Sequence, residues 1–320
     1  MITINDIDVF VLSYNRESYI LETLQSLNNQ TIGKFEIKIL DNGSTDNTQK
    51  SIESLENKNI LFFGSDTNNG ALWNFQRAQK LASKKYTILF HDDDLIHPKY
   101  LEYVIKVLNE QKDISLVCSG MKATKNPNQK HWNEYSYSPI IFDRLSQFAS
   151  LVYLGFPLNF ATVVYKTEYL KKAKIDFEQY GKIADRPLVF DCVKNGKIAL
   201  FAGQYIQYRT HENQDSKNSS SGPFYNETIA LHKKYKNIIF QDNFLLPKIL
   251  FLVNFYRYVV EEYNRFLDIK CSKNQYVDLV MDEIQITKNE LFLSKLFYFT
   301  KISYLYKIYR FIKRKLGQYS

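Results

Sequence analysis

The sequence has only three cysteines, Cys118, Cys192 and Cys271, far apart and without a CxxC pair. Neither a disulfide framework nor a zinc site follows from that spacing, and buried small side chains are the simplest reading of all three. Long apolar runs are also missing. A bilayer-spanning helix needs roughly 18 to 20 such residues, and the longest candidate, residues 249–260, is interrupted by Asn254 and Arg257. The start, Met1-Ile2-Thr3-Ile4-Asn5-Asp6, shows no basic leader or apolar stretch with a cleavage site, so a cytoplasmic location is expected. No repeat of fixed period occurs, and no GxGxxG follows the first apolar run, which disfavours a nicotinamide enzyme.

What is present is ordinary in bulk and uneven in placement. At 320 residues, 45% hydrophobic and 24% charged, the chain has a soluble composition and exceeds the size of one small domain. The net charge of +8 gathers at the end, where residues 288–320 hold eight Lys or Arg against the acid Glu290. A basic excess confined to a tail points to a membrane surface and away from nucleic acid. Within it Tyr298, Ile302, Leu305, Tyr309, Ile312 and Leu316 recur at helical spacing, with Lys307, Arg310 and Arg314 opposite. That pattern suits a helix lying peripherally on an anionic bilayer, and also a seam between copies in a homo-oligomer.

Four short apolar runs, residues 8–12, 35–40, 60–63 and 86–90, each lead into a polar cluster, and helical patterns run between them through Leu24, Ile52 and Ala78. This alternation predicts βαβ units and an α/β fold with a mainly parallel sheet. Ligands bind such sheets at the C-terminal strand ends. Ser13-Tyr14-Asn15, Asp41-Asn42, Asn68-Asn69-Gly70 and His91-Asp92-Asp93-Asp94 are therefore expected to converge on one edge as one site. Residues 113–215 read as short strands mixed with irregular segments, and the Ser-, Asn- and Gly-rich run 211–222 reads as a loop. The expected division is a catalytic domain over 1–222 and a helical extension over 223–320 ending in the basic amphipathic helix.

Asp92, Asp93 and Asp94 carry the chemistry. Three adjacent carboxylates repel one another, and a hard divalent ion, magnesium or manganese, is the natural way to hold them ionised. Such an ion neutralises charge building on a departing diphosphate. The competing reading is a helix cap, since Pro98 and a helix through Leu101 and Val104 follow; it accounts for Asp94 but gives no reason for Asp92 and Asp93.

Val11-Leu12-Ser13-Tyr14-Asn15-Arg16, Leu40-Asp41-Asn42-Gly43-Ser44-Thr45-Asp46, Asn68-Asn69-Gly70 with Asn74, and His91-Asp92-Asp93-Asp94 with Pro98 stand in order over about the first 215 residues. Together they resemble the inverting family-two glycosyltransferases of the GT-A fold, the type that builds bacterial polysaccharide, O-antigen and capsule. The resemblance implies a Rossmann-like sheet flanked by helices, a nucleotide-sugar donor of the uridine diphosphate type, and a glycan or polyprenyl-diphosphate-linked acceptor. It implies that Asp93 is the main metal ligand, with Asp92 near the ribose and Asp94 supporting the loop or sugar. Asp41 would accept a hydrogen bond from the base and Tyr14 would stack on it, although Tyr14 also reads as a core-edge aromatic and Asp41 as a turn residue. Ser13, Asn15, Arg16, Asn42, Asn69, Gly70, Asn74 and Arg186 fall in the donor-binding stretches. His91 is a departure, because the family often has Asp there.

Inverting transfer needs a carboxylate to take the acceptor proton. Asp185, in Ile183-Ala184-Asp185-Arg186-Pro187, matches the family's base position; Asp176, Glu178 and Asp191 are rivals, and an N-cap is its structural alternative. Tyr208-Arg209-Thr210-His211, followed by Gln214 and Ser216, resembles the Arg-x-His-x-x-Gln-x-Ser stretch that closes over donor phosphates, making His211 a phosphate or metal contact. Two other readings remain: a sugar nucleotidyltransferase, disfavoured because residues 13–17 contain no Gly, and a silent nucleotide-sugar-binding homologue, disfavoured because Asp41, Asp93 and Asp185 are all kept.

Overall fold

The computed structural model describes residues 1–128, 132–133, 135–193, 196–212, 225–265 and 272–300. Its sheet contains β1 (Ile7–Ser13), β2 (Ile37–Asp41), β3 (Ile60–Phe63), β4 (Tyr86–His91), β5 (Leu95–Ile96), β6 (Ile114–Thr124), β7 (Pro139–Phe142), β8 (Val164–Lys166) and β9 (Lys197–Arg209). The order is β3-β2-β1-β4-β8-β6-β9-β5, with β7 pairing on β9. β1 pairs in parallel with β2 and β4, and β2 with β3. β8 is antiparallel to both β4 and β6, and β9 is parallel to β6. Strands β3, β2, β1, β4, β6 and β9 therefore share one direction, while β5, β7 and β8 oppose it.

The strands read as near-continuous apolar runs because helices cover the sheet. Val9, Phe10, Val11, Ile37, Ile39, Ile88 and Phe90 lie in its core with Leu24 and Leu27 from the helix Ile20–Asn28 and Val104 and Val107 from the helix Tyr100–Glu110. Each such side chain contributes about 1.5–3 kcal/mol on burial. Asp8, a charge inside β1, is fully buried and is tied to Lys38 Nζ on β2 at 2.8 Å and to the Ser83 and Lys84 amides at 2.7 and 2.8 Å.

Two long strands replace the short ones expected after residue 113: β6 runs for 11 residues and β9 for 13. Their mutual register shifts between Ile114 and Leu116 and around Gly120. An irregular register breaks the two-residue alternation that a strand would otherwise display.

The chain divides into two units. The first holds Met1–Arg144, Pro157–Phe177 and the described residues from Ala184 to Glu212, and so contains the whole sheet. The second gathers Leu145–Phe156, Glu178–Ile183 and the described residues from 225 onward. It is helical, with Tyr225–Phe240, Leu245–Arg265, Lys273–Ile284 and Lys288–Phe299 joined by Leu145–Tyr153. Phe251 and Phe255 stack at its centre, 5.7 Å between ring centroids, and His232 sits between the Tyr153 hydroxyl and the Glu262 carboxylate, 2.9 Å from each. Ser272 with Gln275, and Thr287 with Glu290, form capping boxes that start its last two described helices. The expected boundary at residue 222 and the amphipathic stripe beyond Tyr298 lie outside the described residues. Among the described residues no helix is long and apolar enough to cross a membrane.

Candidate active site

The adjacent pair β1 and β4 builds the centre of the site. Leu12 stands beside His91 in the parallel register, so the turn leaving β1 meets the acidic turn leaving β4. The Tyr14 amide donates to Asp92 Oδ2 at 2.9 Å, and Arg16 places Nε 3.3 Å from Asp92 Oδ1 and 3.5 Å from Asp93 Oδ2. Asn15 adopts a left-handed backbone, φ 51°, which lets its side chain accept from the Thr45 amide at 2.8 Å and binds the β1 turn to the β2 loop. Ser13 is buried under this junction. Tyr14 is 36% exposed, which leaves it open to a stacking partner.

The β2 loop is held from several sides. Asp41, 4% exposed, accepts from the Ser44 amide and hydroxyl at 2.9 and 2.5 Å. Asn42 donates to Asn68 Oδ1 and the Gly70 carbonyl at 2.8 and 3.1 Å, and accepts from the Asn69 amide at 3.1 Å. Gly43 has φ 74°, and a Cβ there would lie 2.4 Å from the Thr67 carbonyl carbon, so the close approach of the two loops requires glycine. Gly70, φ 85°, caps the helix Ala71–Leu81, whose Asn74 is buried and donates to the Leu40 carbonyl at 2.7 Å. Asn42 and Asn74 thus brace the end of β2 from within. Arg77, one turn on from Asn74, donates to the Asp41 and Gly64 carbonyls, both at 3.1 Å; it carried no motif signal.

The end of β9 closes the acidic turn. Arg209 donates from Nε to the Asp93 carbonyl and from its amide to Asp94 Oδ1, both at 2.9 Å, and pairs with Glu22 at 2.5 Å. His211 Nε2 lies 2.9 Å from Asp93 Oδ2. The Tyr19 ring sits against both residues, 4.6 Å from the His211 centroid and 4.7 Å from the Arg209 guanidinium carbon. Sequence reasoning reached His211 but not Glu22 or Tyr19. Their partners stand 187 and 192 positions away, beyond any local pattern.

Capping fails as an account of the acids. The helix Tyr100–Glu110 takes Lys99 at its N-cap, and β5 intervenes after Asp94. Asp185 is likewise no N-cap: Ala184 holds that position and Asp185 is the first residue of the helix Asp185–Asp191. Its carboxylate is pushed above the ordinary range by burial, against the pull of the charges on Arg186 and His91. That pull places Asp185 within electrostatic reach of the β4 turn. Arg186 is exposed beside it. Of the rivals, Asp176 pairs with Lys174 at 3.7 Å, Asp191 ends the same helix as Asp185, and Glu178 belongs to the helical unit.

Burial governs the electrostatics of the acids, with the crowding of like charges beside it. Burial and the Asp93 charge push Asp92 up to about 7, against Arg16 and the Tyr14 amide. Burial also raises Asp94. Burial disfavours charge on His91, although 34% of its side chain meets solvent, yet Asp94, Asp93 and Asp92 outweigh that cost and raise it to about 9. Among the described residues, one group is arranged to share an ion: donor atoms of His91, Asp93 and Asp94 lie within 4.8 Å of one another. His211 Nδ1 is buried without a hydrogen-bond partner at the rim of the same acids. Converging oxygen and nitrogen donors fit a divalent cation.

Comparison with known proteins bears on the family and the fold. A model of glycosyl transferase family 2 matches residues 8–166. An uncharacterised glycosyltransferase of Haemophilus influenzae is 24% identical over 219 residues, 66% of this chain and 67% of that protein. The abequosyltransferase RfbV of Salmonella typhimurium is 34% identical over 109 residues, 32% of this chain and 33% of its own length. The crystal structure of residues 1–349 of TarS from Staphylococcus aureus, in complex with UDP-GlcNAc, aligns with 93% of this chain and 87% of that one, at TM-score 0.65 and 22% identity. The fold is the GT-A arrangement.

Proposed function

We propose, since the chain belongs to glycosyl transferase family 2, that it moves a sugar from a nucleoside diphosphate donor to a hydroxyl of a glycan or lipid-linked acceptor, with inversion. The observation that carries this reading is the convergence of Tyr14, Asp41, Asp92, Asp93 and Asp94 at the ends of parallel strands, with Asp185 in electrostatic reach. The uridine donor rests on the exposed Tyr14 ring beside Asp41, and on TarS, whose structure carries UDP-GlcNAc.

Asp93 and its neighbours would hold manganese or magnesium, which, when bound, supplies positive charge against the diphosphate. The chain's own residues do the remainder. Tyr14 stacks on the base and Asp41 accepts its N–H, fixing the donor's far end. Arg16 and Arg209 hold the acidic turn in shape through the Asp92 and Asp93 contacts. The Asp185 carboxylate takes the acceptor's hydroxyl proton as that oxygen bonds to the anomeric carbon from the face opposite the leaving group. The anomeric carbon–oxygen bond breaks in the same step, and its electron pair leaves on the nucleoside diphosphate. A raised carboxylate is a stronger base than an ordinary Asp, which suits this role.

The basic tail is proposed to hold the enzyme peripherally on the cytoplasmic membrane face, near a lipid-linked acceptor. Thermal shift against a panel of UDP-, GDP- and dTDP-sugars, with and without manganese, tests the donor reading. At least one nucleotide sugar should stabilise the protein in the manganese-containing samples, in proportion to its affinity. A panel with no stabilising member would remove the reading.

A further inference from the structure

The acidic turn departs from an all-oxygen site in one respect: a histidine occupies its first position. His91 is the last residue of β4, and its ring stacks on Phe160 at 5.9 Å and 19° between planes, which fixes its orientation. Its Nδ1 lies 3.3 Å from Asp94 Oδ2. A charge-assisted N–H···O bond is usually about 2.7–2.9 Å. Two ligands at right angles on one ion, each about 2.1–2.2 Å from it, stand roughly 3.0 Å apart. The observed spacing therefore suits adjacent ligands of one ion at least as well as a hydrogen bond. Asp93 supplies the third donor, all three within 4.8 Å.

We propose that His91 is itself a ligand of the divalent ion, giving the site a mixed nitrogen and oxygen donor set that selects manganese over magnesium. The inference rests on the reading of this turn as a divalent-ion site. Magnesium is hard and holds to oxygen and water, whereas imidazole suits first-row transition ions. A carboxylate at position 91 would make the donors all oxygen and remove that preference. His211 is the other nitrogen in the neighbourhood, with Nε2 2.9 Å from Asp93 Oδ2 and its ring tilted at 40° against Tyr19. Among the described residues it is His91, not His211, whose donor atom lies within 4.8 Å of those of both Asp93 and Asp94.

The test is direct manganese binding to the full chain, followed by electron paramagnetic resonance, with UDP added in a second series. The wild type should show electron spin-echo modulation from a coordinated imidazole nitrogen. His91→Asp and His91→Gln should both lose it, and His211→Ala should keep it. In competition titrations, the ratio of manganese to magnesium affinity should fall about tenfold or more in His91→Asp. Circular dichroism selects the folded variants, and the wild type with its His211→Ala counterpart decides the question if neither His91 variant folds. Nitrogen modulation lost in His211→Ala, or a ratio unchanged in His91→Asp, overturns the assignment while leaving the ion site intact. A wild type that binds no manganese in either series overturns both readings.

Discussion

Replacing Asp185 by Asn separates chemistry from binding. The substitution keeps the size and polarity of the first residue of the helix Asp185–Asp191 and removes its charge and its ability to take a proton. A charge at a helix start contributes about 0.3–1 kcal/mol, so the fold should lose no more than that. Loss of a general base costs about 10²–10⁴ in rate, which is roughly 3–5 kcal/mol at 1.36 kcal/mol per decade. The variant should therefore bind donor within about twofold of the wild type and turn over at least a hundredfold more slowly. The pH profile adds a second readout. Burial raises the Asp185 carboxylate, so the basic form is depleted as pH falls through a value above the ordinary carboxylate range. The wild-type rate should show that acid limb, and the residual rate of the variant should lack it. Calorimetric donor titration with steady-state release of nucleoside diphosphate measures all three. A donor affinity that collapses with kcat, or a kcat that stays near wild type, would refute the role.

Further outcomes follow from other parts of the molecule. Asp93→Ala should abolish divalent-dependent transfer with the fold retained, checked by turnover at saturating manganese beside circular dichroism; unchanged turnover would remove Asp93 as the anchor. Asp8→Asn leaves Lys38 opposite an uncharged group in a buried setting, and should destabilise the sheet unit by about 3 kcal/mol, read as a lowered Tm. Asp8 is held below the ordinary carboxylate range: burial opposes the charge, but Lys38 and the Ser83 and Lys84 amides outweigh it. Its stabilisation is therefore present above about pH 4 and lost as pH falls through the lowered value, so the difference between wild type and variant should shrink in acid. Truncation after Thr300 should weaken sedimentation with anionic vesicles while sparing transfer to a soluble acceptor analogue. The cut must spare the preceding helix, where Ser294 is fully buried and donates to the Leu252 carbonyl at 2.5 Å. If truncation instead turns an oligomer into a monomer, the stripe is a subunit seam.

The parallel half of the sheet was legible because β1, β2 and β4 are largely buried and its strands end abruptly in polar clusters. The 60–63 run coincides with β3, while β2 begins two residues after the expected start and the second helix stops at Glu53, short of Leu55. The motifs placed Asp41, Asp93 and His211 together because each lies next to a strand end, a position that composition marks. What composition hides is a contact between distant elements. Arg209 gathers Asp93, Asp94 and Glu22 through one guanidinium and one amide, and only the β6–β9 register and the Ile20–Asn28 helix bring those groups within reach.

The same geometry separates two kinds of residue that the motifs present as equals. Asn42, Asn74 and Arg77 spend their side chains on backbone or loop partners beneath the β2 end, so their replacement should loosen the loop before it touches a donor. Tyr14 spends its backbone, the amide on Asp92 and the carbonyl on Arg16, and the residue stays 36% exposed. A buried amide that loses its partner costs about 1–3 kcal/mol of stability, whereas an exposed ring that loses a stacked base costs affinity alone. On the proposed donor pose, fold and recognition fall to different side chains of one strand edge, and the acids of the β4 turn, held by Arg16 and Arg209, are where the two meet.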